Sequence, residues 1–85
     1  MFVIINNMRT EINDYIVIDS EICHGKPTFK GTRIMVSIVL EMLEARAGTK
    51  EIIKAYPSLT EKHIRAALNF AAHLVEESFA DKAPA

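Results

Sequence analysis

A chain of 85 residues with 49% hydrophobic side chains and a net charge of −1 holds one small domain and enough apolar material for a core. Its one cysteine excludes an intrachain disulfide and a CxxC metal site, and its charge argues against a generic polyanion binder. No apolar run approaches the roughly 20 residues of a membrane span, and no basic start followed by a long apolar stretch marks a secretory signal. A cytoplasmic protein without membrane contact is expected.

A domain this small hides only about 60% of its unfolded surface, so the apolar surplus points to a second copy or another partner. Charge is unevenly spread. The first 23 residues set Arg9 against four acids, residues 24–65 set eight bases against four acids, and the last 20 set Lys82 against three acids. The middle of the chain is basic and both ends are acidic.

Phe2-Val3-Ile4-Ile5 has strong β propensity and precedes an Asn6-Asn7 turn, so residues 1–13 are read as an N-terminal arm. Asn13-Asp14 breaks the chain before a short apolar strand at residues 15–19. Residues 20–23 are expected to make one helical turn capped by Ser20. Gly25 and Gly31 flank two short extended pieces, residues 27–29 and 33–36, with Lys30-Gly31-Thr32 as the turn between them.

The first helix is expected at residues 37–47 under a Ser37 cap, with Ile38, Val39, Met42 and Leu43 on its apolar stripe. A second, short helix at residues 50–55 follows Gly48-Thr49 and stops before Pro57. A third runs from a Thr60 cap to about residue 79, burying Ile64, Ala67, Leu68, Ala71, Leu74 and Val75. Residues 80–85 are read as a frayed tail. The folded domain is thus expected over residues 14–79. Its fold class is mainly α with a small β element, a short β-hairpin leading into three helices, the last two spaced like a helix-turn-helix.

Several motifs occur together in one order: Gly25-Lys26-Pro27, Lys30-Gly31-Thr32-Arg33-Ile34, Val36-Ser37, Tyr56-Pro57, Leu59-Thr60 and Ile64-Arg65-Ala66-Ala67-Leu68. In this combination, over residues 14–75, the chain resembles the 433 family of domains of unknown function. The resemblance implies a homeodomain-like or winged helix-turn-helix module of antitoxin type. It further implies two roles: neutralising a PIN-like ribonuclease toxin by binding it, and repressing the shared operon through operator DNA. It implies no enzymatic activity and no cofactor. The chain departs from the family pattern at His24, where a second glycine is usual, and at Met35, where proline is frequent. It departs again at Ile38, often polar, and at Arg46-Ala47-Gly48-Thr49, where a glycine and a Ser/Thr cap are usual.

Candidate contacts follow. Lys62, Arg65 and Asn69 share the polar side of the third helix, where Arg and Asn can read base edges and Lys can neutralise phosphate. The alternative is a solvated helix face. Lys26 and Lys30 on the hairpin could grip phosphate or a partner's acids. Gly25, Pro27, Gly31, Thr32 and Arg33 are read as structural, with the Arg33 guanidinium tying the turn to a helix end. Phe2, Ile4, Ile38, Phe70 and Phe79 are candidate partner-interface residues, with ordinary core packing the competing reading. A homodimer, whose symmetry would match a palindromic operator, is the expected assembly. Cys23-His24 carries neither a positioned base nor a metal-ligand spacing, so no catalytic or metal residue is assigned. A DNA-binding regulator without a toxin is the second functional reading.

Overall fold

The computed structural model describes residues 8–79. Three strands come first, β1 (Arg9–Glu11), β2 (Ile16–Asp19) and β3 (Thr28–Phe29). Three helices follow, α1 (Val36–Glu44), α2 (Thr49–Ala55) and α3 (Glu61–Phe79). The strands form one antiparallel sheet in the order β1-β2-β3, with Thr10 opposite Ile18 and Ile16 opposite Phe29.

This corrects the expected fold class. The chain is a small mixed α/β fold with a three-stranded sheet ahead of its helices, rather than a mainly α, homeodomain-like helix-turn-helix with a two-piece hairpin. Two local causes account for the difference. β1 reads Arg-Thr-Glu and is exposed throughout, so no apolar alternation marks it as a strand. Its charges work across the sheet instead: Arg9 lies 3.2 Å from Asp19, and Lys30 Nζ lies 3.0 Å from Glu11. The second cause is that residues 33–36 never become a strand. Met35 makes an isolated bridge with Thr28, and Val36 already opens α1. The stretch read as an arm therefore gives residues 9–11 to the sheet, while Phe2 and Ile4 lie outside the described residues.

Side chains fix the tight connections. Asn13 Oδ1 accepts the backbone N–H groups of Tyr15 and Ile16 at 2.8 and 2.9 Å, folding the β1–β2 turn. The Thr32 hydroxyl donates to the Phe29 carbonyl at 2.8 Å and accepts from the Ile34 N–H at 2.9 Å. Gly31 between them has φ +75°, a left-handed conformation open to glycine without steric cost. The turn after β2 is capped by Asp19, whose Oδ1 accepts the Glu21 N–H at 2.8 Å. The expected cap, Ser20, instead accepts the Met8 N–H at 3.1 Å. Nor does Ser37 cap α1, because Met35 holds the N-cap position with no side-chain bond. α2 starts as expected after Gly48, whose N–H donates to Glu51 Oε1 at 3.0 Å.

Two non-glycine departures from the family pattern stand where the backbone is left-handed. His24 has φ +58°, between Cys23 at +50° and Gly25 at +79°. Arg46 has φ +72° just past α1, where the Arg46 N–H donates to the Leu43 carbonyl and the Ala47 N–H to that of Met42. Such a helix ending ordinarily uses glycine. A side chain in this region costs about 1–2 kcal/mol, partly offset by the extra freedom glycine gives the unfolded chain. His24→Gly and Arg46→Gly should therefore each stabilise the domain by about 0.5–1 kcal/mol, read as a rise in thermal midpoint.

The core gathers Ile16, Phe29, Val36, Val39, Ile52, Leu59, Ile64 and Ala67, drawn from the sheet, all three helices and the α2–α3 link. Phe70 and Leu40 pack against it half-buried. Beside Phe29 on β3, and outside this cluster, the Thr28 hydroxyl is fully buried without a hydrogen-bond partner. Exchanging a buried, unsatisfied hydroxyl for a methyl removes a desolvation cost of about 1–3 kcal/mol. Thr28→Val should accordingly raise the denaturant midpoint without changing its slope.

Candidate functional site

α3 is longer than the core it covers. Its first turns bury Ile64 and Ala67, but Leu68, Leu74 and Val75 stand 50–59% exposed. The expected stripe was therefore right at Ile64 and Ala67, and half-buried at Ala71; Leu68 and Val75 stand on the face turned away from the core, and Leu74 lies in the exposed last turns.

The start of α3 is bound to the sheet through His63. Its Nδ1 accepts the Thr60 N–H at 3.0 Å and lies 2.9 Å from the Thr60 hydroxyl, closing the first turn. This arrangement fixes the neutral tautomer with its proton on Nε2. The ring meets Tyr15 and Phe29 edge-on, with centroids 4.9 and 5.6 Å away. Burial lowers the His63 pKa below the usual 6.5. The unfolded chain thus binds the proton more readily, so His63 contributes its full share of stability above about pH 6.5 and loses it as pH falls. The thermal midpoint should drop as pH falls below about 6.5, and His63→Leu should flatten that drop.

Between the β1–β2 turn and α3 runs a continuous trough. One section, about 450 Å³, has Asn13, Asp14 and Tyr15 on the sheet side and Lys62, Arg65, Ala66 and Asn69 on the helix side. The next, about 320 Å³, has Ile12 and Asn13 facing Asn69, Phe70, His73, Leu74 and Glu77. His73 Nδ1 donates to the Asn69 carbonyl at 2.9 Å, which turns the ring along the helix. The trough thus has a mixed lining: cations and amides at one end, exposed Ile12 and Leu74 with half-buried Phe70 at the other.

Of the residues singled out from sequence, Lys62, Arg65, Asn69 and Phe70 come together here. Lys26 and Lys30 do not. Lys26 is exposed after the left-handed turn, and Lys30 is held on the sheet by Glu11, whose carboxyl lies below its usual range chiefly through that Lys30 contact. Gly25, Gly31 and Thr32 stand in turns, and the Pro27 carbonyl accepts the Val36 N–H at the entry to α1. Arg33 is exposed; its backbone carbonyl accepts the Cys23 thiol at 3.5 Å, and its guanidinium ties no helix end among the described residues. Ile38 is half-buried, and the Phe79 side chain lies outside the described residues. The sheet side of the trough, Ile12 to Tyr15, was not singled out, although Asn13-Asp14 before an apolar run signals a turn.

Among the described residues no three or more His, Cys, Asp or Glu side chains group to hold a metal ion, and no helix is long and apolar enough to cross a membrane. No curated protein and no solved structure matches the chain. Residues 16–71 match the family described as Protein of unknown function (DUF433), a span that begins at β2 and ends within α3. It covers the sheet core, both glycine turns and the cation-bearing half of α3, and the chain belongs to that family.

Proposed function

We propose that this protein is an antitoxin-like binding module that neutralises a PIN-like ribonuclease toxin by seating part of it against α3. The trough carries this reading. Exposed Lys62 and Arg65 can pair with a partner's acids, while Ile12, Phe70 and Leu74 supply the apolar contact a protein partner needs. The β1–β2 turn flanks the same side of the helix and brings Asp14 to it, which suits a peptide segment better than a phosphate backbone.

The test is co-expression with the product of the neighbouring gene, followed by size-exclusion chromatography. Co-elution with relief of that product's growth arrest or ribonuclease activity supports the reading, and Phe70→Asp should weaken it. Separate elution with toxicity unchanged overturns it. A second reading, a DNA-binding regulator, is favoured by Lys62, Arg65 and Asn69 standing exposed together on one trough wall. It requires salt-sensitive binding to the protein's own promoter, weakened by Arg65→Ala and Asn69→Ala.

A further inference from the structure

Leu68, Ala72 and Val75 are spaced by four and three residues along α3, and all three are exposed. That spacing matches the a/d alternation of a helix-pairing seam over about two turns, on a face pointing away from the domain core. Arg65 continues the seam towards the helix start and is also exposed. Leu68, Ala72 and Val75 line neither section of the trough, so the apolar centre of this face lies outside it, while Arg65 at its end is shared with the trough wall.

The charges beside the seam decide what can cover it. Lys62, Asn69 and Glu76 follow one another at intervals of seven, along one flank of the stripe. All three are exposed. In a parallel pair of identical helices this flank would face the opposite flank of the second copy, the row Ile64, Ala71 and Ser78, which offers no charge to pair with. In an antiparallel pair the row is self-complementary: Lys62 meets Glu76 of the second copy, Asn69 meets Asn69 at the two-fold axis, and Glu76 meets Lys62. The same alignment sets Leu68 against Ala72 and Val75 beside the stem of Arg65. A large side chain faces a small one in each central layer, as close helix packing requires.

We propose that α3 is the seam of an antiparallel homodimer, with Leu68, Ala72 and Val75 as its dry centre and Lys62–Glu76 pairs at both ends. The inference concerns a second copy of this chain, and because Lys62, Arg65 and Asn69 also line the trough, a partner seated there and the second copy would compete for these three side chains.

Sedimentation equilibrium of the isolated chain tests it. The expected result is a mass that rises with concentration from 9.5 kDa towards twice that value. Leu68→Asp and Val75→Asp should each abolish the rise. Both positions are exposed, so circular dichroism should still report a folded monomer. Lys62→Glu alone should weaken the dimer at least tenfold, and Lys62→Glu combined with Glu76→Lys should restore it. A mass fixed at 9.5 kDa at all concentrations overturns the proposal. So does a dimer that survives Leu68→Asp, or a reciprocal charge exchange that fails to restore it.

Discussion

Phe29→Ala should unfold most of the protein at room temperature. The ring is fully buried, sits at the junction of β3 and the core, and meets the His63 imidazole edge-on at 5.6 Å. Truncating a buried phenylalanine costs about 3–5 kcal/mol through lost transfer energy and the cavity left behind. Domains hold only about 5–15 kcal/mol in total, and one this small belongs near the lower figure. The loss is therefore comparable with the whole stability. A urea titration followed by far-ultraviolet circular dichroism should show no folded baseline, while Phe29→Leu, which keeps most of the volume, should retain one with a lowered midpoint. If Phe29→Ala shifts the midpoint by less than about 1 kcal/mol, the ring is not the keystone its burial implies.

Leu59→Ala is the second large effect. Leu59 is 1% exposed in the five-residue link between α2 and α3, and its N–H donates to the Tyr56 carbonyl at 2.9 Å. One side chain thus anchors both the link and the angle at which α3 leaves α2. Removing its buried methyl groups should cost about 2–5 kcal/mol. Leu68, nine positions on, offers an internal comparison. It is half exposed, and Leu68→Ala should change the stability of the monomer by no more than about 0.5 kcal/mol. Equal effects at the two leucines would contradict the division between the buried link and the exposed outer face of α3.

That division explains what could and could not be read from the sequence. The periodicity of α3 and its Thr60 start were legible, because helix signals are local. Where the stripe stops being covered was not, since that depends on how far the sheet reaches. β1 was missed for a related reason: Arg-Thr-Glu is a strand by virtue of its pairing with β2 and its ion pairs to Asp19 and Lys30. Residue propensity carries none of that. The turns fared better. Gly31 and Thr32 hold the conformation their chemistry requires, and the unusual His24 and Arg46 fall where the backbone is left-handed. Within the candidate site, one wall was visible as a row of polar residues on a helix. The other wall is made by a turn distant in sequence, and folding alone brings Asn13 and Tyr15 to Lys62 and Asn69.

The contact between His63 and the sheet also has a consequence during synthesis. β1, β2 and β3 are complete once Phe29 has been added, and each strand pairs with the one before it. The rings of Tyr15 and Phe29 lose their imidazole neighbour until residue 63 is made and has cleared the ribosome. At about 5–20 residues per second, that interval lasts seconds. A nascent chain caught in it would carry the Tyr15 and Phe29 rings without the helices that cover them. It is in this window, rather than in the finished fold, that the chain would be most open to a chaperone or to a neighbouring nascent copy.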